Sequence, residues 1–314
     1  MAIQNCTSVA TAAMMFLSAQ AGSPESTVYT TFAGLLEQRD CRQTIEFLRE
    51  LDDSARAMTS FVQKLTLAND VGAAIIDMPR LGQPTIEFLT ELREAADDHD
   101  MFPNLAVAAM SWLFSDNIES RRAALRNAPD SDWYAIVASR LCSGIQMAQG
   151  HASAIDSALS YLAQPLLSAE GRAWLMWKAG ALAVECAMIS QEADRDLRLS
   201  QAQELLEQAR KDAGNAVTRS YATRELARAL RRRGRDEAST LLLTELVGNA
   251  CTPSAVKAYA YRSLALEAAR AGEWDRALEN YDLMEREDYK RAFGKGFDIE
   301  REREALSQNR YPLP

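Results

Sequence analysis

Residues 219–227 read Arg219-Ser220-Tyr221-Ala222-Thr223-Arg224-Glu225-Leu226-Ala227, and 38 positions later residues 257–265 read Lys257-Ala258-Tyr259-Ala260-Tyr261-Arg262-Ser263-Leu264-Ala265. The copies stay in phase through Arg232 and Gly234, which align with Arg270 and Gly272. A fixed self-similarity of this period marks a stacked repeat, because one such unit cannot bury its own apolar face and must lie against a neighbour. A second echo lies upstream. Thr44-Ile45-Glu46-Phe47-Leu48-Arg49-Glu50-Leu51 matches Thr85-Ile86-Glu87-Phe88-Leu89-Thr90-Glu91-Leu92 at seven of eight positions, 41 residues apart.

The echoes fall in helix-forming sequence. The 314 residues include only nine prolines and fourteen glycines, alanine and leucine abound, and β-branched runs are few. The expected fold is therefore all-α: a right-handed α-solenoid of about seven helical hairpins. The second helices of the pairs are expected to begin near residues 42, 83, 118, 154, 199, 236 and 275. Residues 1–23 read as an N-terminal helix or weak signal-like segment, 24–165 as divergent hairpins, 166–289 as the clearest repeats, and 290–314 as a capping helix and frayed tail. Within this scheme Ser23-Pro24-Glu25-Ser26 is a helix start, and Ser54–Ala68 is a helix with an interruption at 69–72. Gln191–Arg198 is an inserted polar loop, and His151 lies in a solvent-facing turn.

Residues 258–289 resemble a tetratricopeptide repeat. The carrying residues are Tyr261, Leu264 and Ala265 on the first helix, the turn Gly272-Glu273-Trp274-Asp275-Arg276-Ala277, and Tyr281 four positions on. The preceding unit keeps Leu226, Ala227, Gly234 and Ala238, with Thr223 in the aromatic place and a turn one residue shorter. The unit before that keeps Trp177, Gly180, Ala181, Ala202, Leu206 and Ala209. The resemblance covers roughly the last 150 residues; upstream it is only hairpin rhythm. It implies an open superhelix whose concave groove, lined by the non-core face of the first helices, holds peptides.

Helical spacing supplies the groove candidates. Tyr221, Arg224 and Arg228 share one face, Ala222, Leu226 and Leu230 another, and the second copy repeats the polar face with Tyr259 and Arg262. Arginine takes carboxylates bidentately and tyrosine offers contact area at low entropic cost. The expected ligand is an acidic or C-terminal carboxylate segment of a protein or peptide. The bland counterpart is a solvated face with local partners such as Glu225.

Other features carry less. Arg231-Arg232-Arg233 and Arg235 fall at a helix C-terminus, where cations complement the dipole. Asp97-Asp98-His99-Asp100 cannot converge on one ion from consecutive positions, and Glu192, Asp194 and Asp196 lack the spacing of a calcium loop. No phosphate-cradling loop, nucleophile elbow or zincin helix appears. Neither a cofactor nor a metal is expected. Cys6, Cys41, Cys142, Cys186 and Cys251 include no C-x-x-C pair and read as free thiols. Trp112, Trp133, Trp174, Trp177 and Trp274 read as packing residues.

The net charge of −9 counts against nucleic acid and anionic membrane as partners. No run reaches the roughly 18 apolar residues of a spanning helix. Val9–Leu17 followed by Ala19-Gln20-Ala21 has an export-like look, but the first 25 residues hold no Lys or Arg, which favours a cytoplasmic address. The expected function is a non-enzymatic adaptor or scaffold. The alternatives are a helical-repeat regulator of a small ligand and an enzyme with a site between the two halves.

Overall fold

A computed structural model describes residues 27–76, 130–293 and 297–311, together with Phe88, Leu125, Arg126 and Ala128. Among these residues the chain is all helical, without a strand. It divides into two compact units, Met1–Gly171 and Arg172–Pro314. The Thr85–Leu92 echo, His99 and its aspartates, Trp112, Cys6, the Ser23–Ser26 start and the signal-like segment lie outside the described residues, apart from buried Phe88.

The first unit contains α1 (Thr27–Gln38), α2 (Cys41–Ala57), α3 (Phe61–Ile76), α4 (Ser131–Gln149) and α5 (His151–Leu162). Arg39 adopts a positive φ of 54° and lets α1 turn directly into α2, whose first turn is capped by the Asp40 carboxylate accepting from the Gln43 N–H at 3.0 Å. The α1–α2 pair is buttressed by Phe32 stacked on Phe47, centroids 5.9 Å apart. The helix expected over Ser54–Ala68 is instead two helices. Met58 turns extended and ends α2, and α3 then runs unbroken through Asp70 and buried Val71, so the expected interruption at 69–72 is absent. An apolar face that continues through Val71 outweighs a local Asn-Asp signal.

The Asp130 carboxylate caps α4, accepting from the N–H groups of Asp132 and Trp133 at 3.0 and 2.9 Å. The same carboxylate takes the Nζ of buried Lys64 at 2.7 Å, and Asp132 takes it at 3.3 Å, which ties α3 to α4. His151 is not in a loop. Gly150, at φ +88°, turns the chain so sharply that His151 starts α5, half-buried, with its ring nitrogen 2.9 Å from the Gln146 amide.

The second unit continues from α6 (Ala169–Ile189), which enters it at Arg172, through α7 (Glu192–Asp212), α8 (Ala216–Arg232), α9 (Asp236–Gly248), α10 (Ser254–Arg270), α11 (Trp274–Glu285), α12 (Tyr289–Phe293) and α13 (Ile299–Ser307). Each of α7 to α10 packs on the next helix, and α8 also touches α10 two helices on. The expected loop over Gln191–Arg198 is the opening of α7. Its acidic residues stand in the first turns, where carboxylates suit the helix N-terminus, so polarity there marks a helix start. Asp194 and Asp196 are exposed.

Repeat glycines do distinct work. Gly234 and Gly272, at φ +70° and +77°, end α8 and α10 with the same closure. Arg235 donates its N–H to the Leu230 carbonyl and Glu273 to that of Ala268, each at 2.9 Å, the six-to-one bond of a Schellman cap. Gly180 instead permits close approach. A Cβ there would stand 2.6 Å from Cγ of fully buried Leu206 on α7. Gly180→Ala is therefore expected to destabilise the second unit by about 1–3 kcal/mol in urea denaturation, as overpacking does. An unchanged midpoint would mean that α6 and α7 are further apart than described.

The positions that carry the sequence resemblance lie in the core of this unit. Ala265, Ala277 and Tyr281 are buried, with Trp274 and Tyr261 packed against their cluster, and Leu264 is buried in a second cluster with Val256 and Ala260. The single capping helix expected from Lys290 to Ser307 is two helices. α12 packs on α10, and α13 packs on α11 through buried Ile299 and Leu306. The Asp298 carboxylate caps α13 through the Arg301 N–H at 3.0 Å, which gives it a start of its own. The tail is not frayed at Tyr311, which joins this core and lies under the Arg270 guanidinium.

Cys41, Cys142, Cys186 and Cys251 are not in disulfides. Among the described residues no helix is long and apolar enough to cross a membrane.

Candidate functional site

The five groove candidates sit on α8 and α10. The Asn215 side chain starts α8, accepting from the Thr218 N–H at 2.8 Å. Ala222, Leu226 and Leu230 are buried, so the helix turns Tyr221, Arg224 and Arg228 to another side. On α10, Ala260, Leu264 and Ala265 are buried and set Tyr259 and Arg262 apart in the same way.

Arg224 joins the two copies. Its guanidinium lies 5.2 Å from the Tyr221 ring centroid and 5.4 Å from that of Tyr259, one cation against rings of both repeats. The aromatic contacts extend both ways. Tyr221 meets Trp177 at 5.2 Å and Trp174 at 5.9 Å, while Tyr259 stacks on Phe293 at 6.4 Å. The result is a ladder of rings and cations from α6 through α8 and α10 to α12.

The charges are not open in the way the sequence suggests. Glu225 is only 4% exposed. One of its oxygens accepts from Arg224 Nη2 and Nε at 2.6 and 2.9 Å, and the other from Arg228 Nη1 at 3.4 Å. Burial pushes the Glu225 carboxyl upward, but Arg224 and Arg228 together overcome it and hold the group below the ordinary carboxylate value. Burial likewise disfavours charged Arg224, and the Glu225 carboxylate outweighs it, leaving the arginine above its ordinary value. The face of α8 is thus neither a solvated surface nor a row of free cations. Arg224 is a bound structural cation, while Arg228 keeps part of its donor set.

The second copy solves the same problem differently. Ser263 stands where the first copy has Glu225, so Arg262 has no acid beside it on its own helix. It reaches Glu302 on α13 instead, Nε to Oε2 at 3.0 Å and Nη2 to Oε1 at 2.6 Å, a two-pronged carboxylate fork. Phe293 and Phe297 cover the same guanidinium, each centroid at 5.3 Å. A carboxylate flanked by aromatic rings is therefore already seated on Arg262, supplied by the chain's own C-terminal helices.

Beyond the ladder, α8, α9 and α10 enclose a cleft of about 410 Å³. Arg228, Tyr259 and Arg262 line it, with Arg231, Arg232 and Arg270 added. Arg231 pairs with Glu267, which also accepts from Thr240 Oγ1 at 2.8 Å, so one carboxylate braces three helices. Arg231 and Arg232 of the basic run thus face a cleft as well as the helix dipole, while Arg233 donates to Gln203 on α7.

Of the five candidates, the structure gathers Tyr221, Arg224 and Tyr259 into one contact and places Arg228, Tyr259 and Arg262 on one cleft wall. Glu302, Phe293, Phe297 and Arg270 were missed. The one available signal was Ser263 in the place of Glu225, which leaves the second copy's arginine without a local acid. Trp174 and Trp177, read as packing residues, belong to the ladder. Among the described residues, no group of three or more His, Cys, Asp or Glu side chains converges on a metal site.

No protein-family model matches the chain, and no curated protein matches it.

Glu302→Gln keeps the shape of the fork and removes its charge. The cap then holds Arg262 less firmly, and α13 is expected to exchange its amide hydrogens about ten-fold or more faster than in the wild type, since a charge-assisted pair contributes roughly 1.5–3 kcal/mol. Unchanged exchange across α13 would show that Ile299 and Leu306 alone secure the cap.

Proposed function

We propose that the chain is a non-enzymatic binding module, a tetratricopeptide-like right-handed solenoid that captures an acidic segment of a protein or peptide along the face of α8 and α10. The repeat register supports the solenoid reading. Gly234 and Gly272 close their helices identically, and α8 lies against α10 across one intervening helix. The observation that carries the binding reading is Glu302. An acidic residue framed by Phe293 and Phe297 fits the Arg262 position from outside α10, which supports an acidic segment beside aromatic residues as the ligand. A partner segment with a carboxylate near aromatic residues would make the same contacts further along, at Arg228 and the Tyr259 edge of the cleft. The proposed address is cytoplasmic.

The test is fluorescence anisotropy with labelled peptides carrying Glu or Asp beside Phe, against the wild type and an Arg228→Glu/Arg262→Glu variant. Binding to the wild type is expected to fall at least about a hundred-fold in the variant, because the contact at Arg228 becomes repulsive and the Arg262–Glu302 fork beside it is lost. A far-ultraviolet melt guards against loss of fold. Equal affinity of a folded variant would remove this face as the binding surface.

A further inference from the structure

We propose that the cleft between α8, α9 and α10 is an oxyanion site for a ligand with at least two negative charges, of the phosphate or polycarboxylate kind. The proposal deepens the binding reading above and rests on it in taking α8 and α10 as a ligand-facing surface.

The floor of the cleft holds unanswered donors. Ser239 on α9 is 0% exposed, lines the cleft, and its hydroxyl has no hydrogen-bond partner among the described residues. Arg231 Nε is also buried and unpartnered, although the other end of that guanidinium is held by Glu267. Buried polar groups are almost always paired, so two unpaired donors around one cleft point to a missing acceptor.

The mouth supplies charge. Arg232 and Arg270 are exposed, line the cleft and have no carboxylate partner among the described residues; Arg270 lies only over the Tyr311 ring, at 5.3 Å. They occupy the same position in the two copies, 38 residues apart, so the repeat itself sets them at one mouth. The other arginines there are engaged, Arg228 by Glu225 and Arg262 by Glu302. Asp236 is the one carboxylate on the lining. With their paired acids included, six arginines (Arg224 among them) meet four carboxylates, which leaves two positive charges uncompensated. A volume of about 410 Å³ suits a small polyanion or the acidic end of a peptide. Arginine forks with a hydroxyl donor beneath them match the oxygens shared by phosphates and carboxylates.

The experiment is isothermal titration calorimetry of the full chain at low ionic strength with three ligands: inorganic pyrophosphate, citrate, and an amidated pentaglutamate peptide. At least one is expected to bind with Kd below about 1 mM. Arg232→Gln/Arg270→Gln is expected to weaken that binding at least about ten-fold, and Ser239→Ala roughly five-fold, with the far-ultraviolet spectrum of each variant unchanged. Loss of pyrophosphate or citrate binding in the double variant supports a free oxyanion as the ligand. Loss confined to the peptide supports acidic side chains of a polypeptide as the source. No binding to the wild type by any of the three overturns the site, as does equal affinity in the double variant. Peptide binding that survives Arg232→Gln/Arg270→Gln but fails in Arg228→Glu/Arg262→Glu overturns this site and leaves the groove proposal standing.

Discussion

Glu225→Ala is expected to cost the second unit about 3–5 kcal/mol, because it strands the buried Arg224 guanidinium without its carboxylate. The measurement is the urea midpoint, read with the melting temperature, which should fall on the order of 10 °C for a unit of this size. The loss comes from the unpaired charge and not from the helix, since alanine is the best helix former. A companion variant separates these causes. Arg224→Met/Glu225→Met removes both charges together and is expected to recover most of the loss. If the single variant melts like the wild type, the Glu225 carboxylate is not buried between Arg224 and Arg228.

The same pair sets a pH dependence. The folded-state pKa of Glu225 is held below its ordinary value. The stabilisation is therefore fully present above the unfolded glutamate value, about 4.3, and is lost as pH falls through the lowered folded value. Glu225→Gln is accordingly expected to flatten the acid limb of the stability curve relative to the wild type. Parallel acid limbs would assign acid unfolding to other carboxylates.

The second large effect falls in the first unit. Trp133 is 0% exposed on α4, and Trp133→Ala is expected to destabilise this unit by about 3–5 kcal/mol, the range for deleting a buried aromatic side chain. Trp133→Phe retains a ring and should cost clearly less. Equal losses for the two variants would mean that the indole nitrogen, not the packed volume, is what this position requires.

The all-helical character and the matched closures at Gly234 and Gly272 were legible because local chemistry carries them. Small residues, a closing glycine and an aromatic recur at one spacing, and each acts within a helix or one turn of it. The polar face was legible for the same reason, and the ladder through Arg224 follows from Tyr221 and Tyr259 sharing a register. The state of the charges was not legible. Arg224 meets its acid one residue away, but whether Glu225 is buried depends on how α8 packs. Arg262 meets its acid 40 residues away on a helix that was read only as a solvating cap. The misplaced loop at Gln191–Arg198 has a related cause. A polar run with little hydrophobic period reads as a connection, although acidic residues at a helix N-terminus need no buried partner to be stable there.

Hydrogen exchange across the full chain, with and without a bound Glu/Phe peptide, tests the binding account most directly. Slowed exchange is expected in α8 and α10, with α13 speeding up if the peptide displaces Glu302 from Arg262. Protection confined to α1–α5, or none in α8 and α10 at saturating peptide, would contradict it.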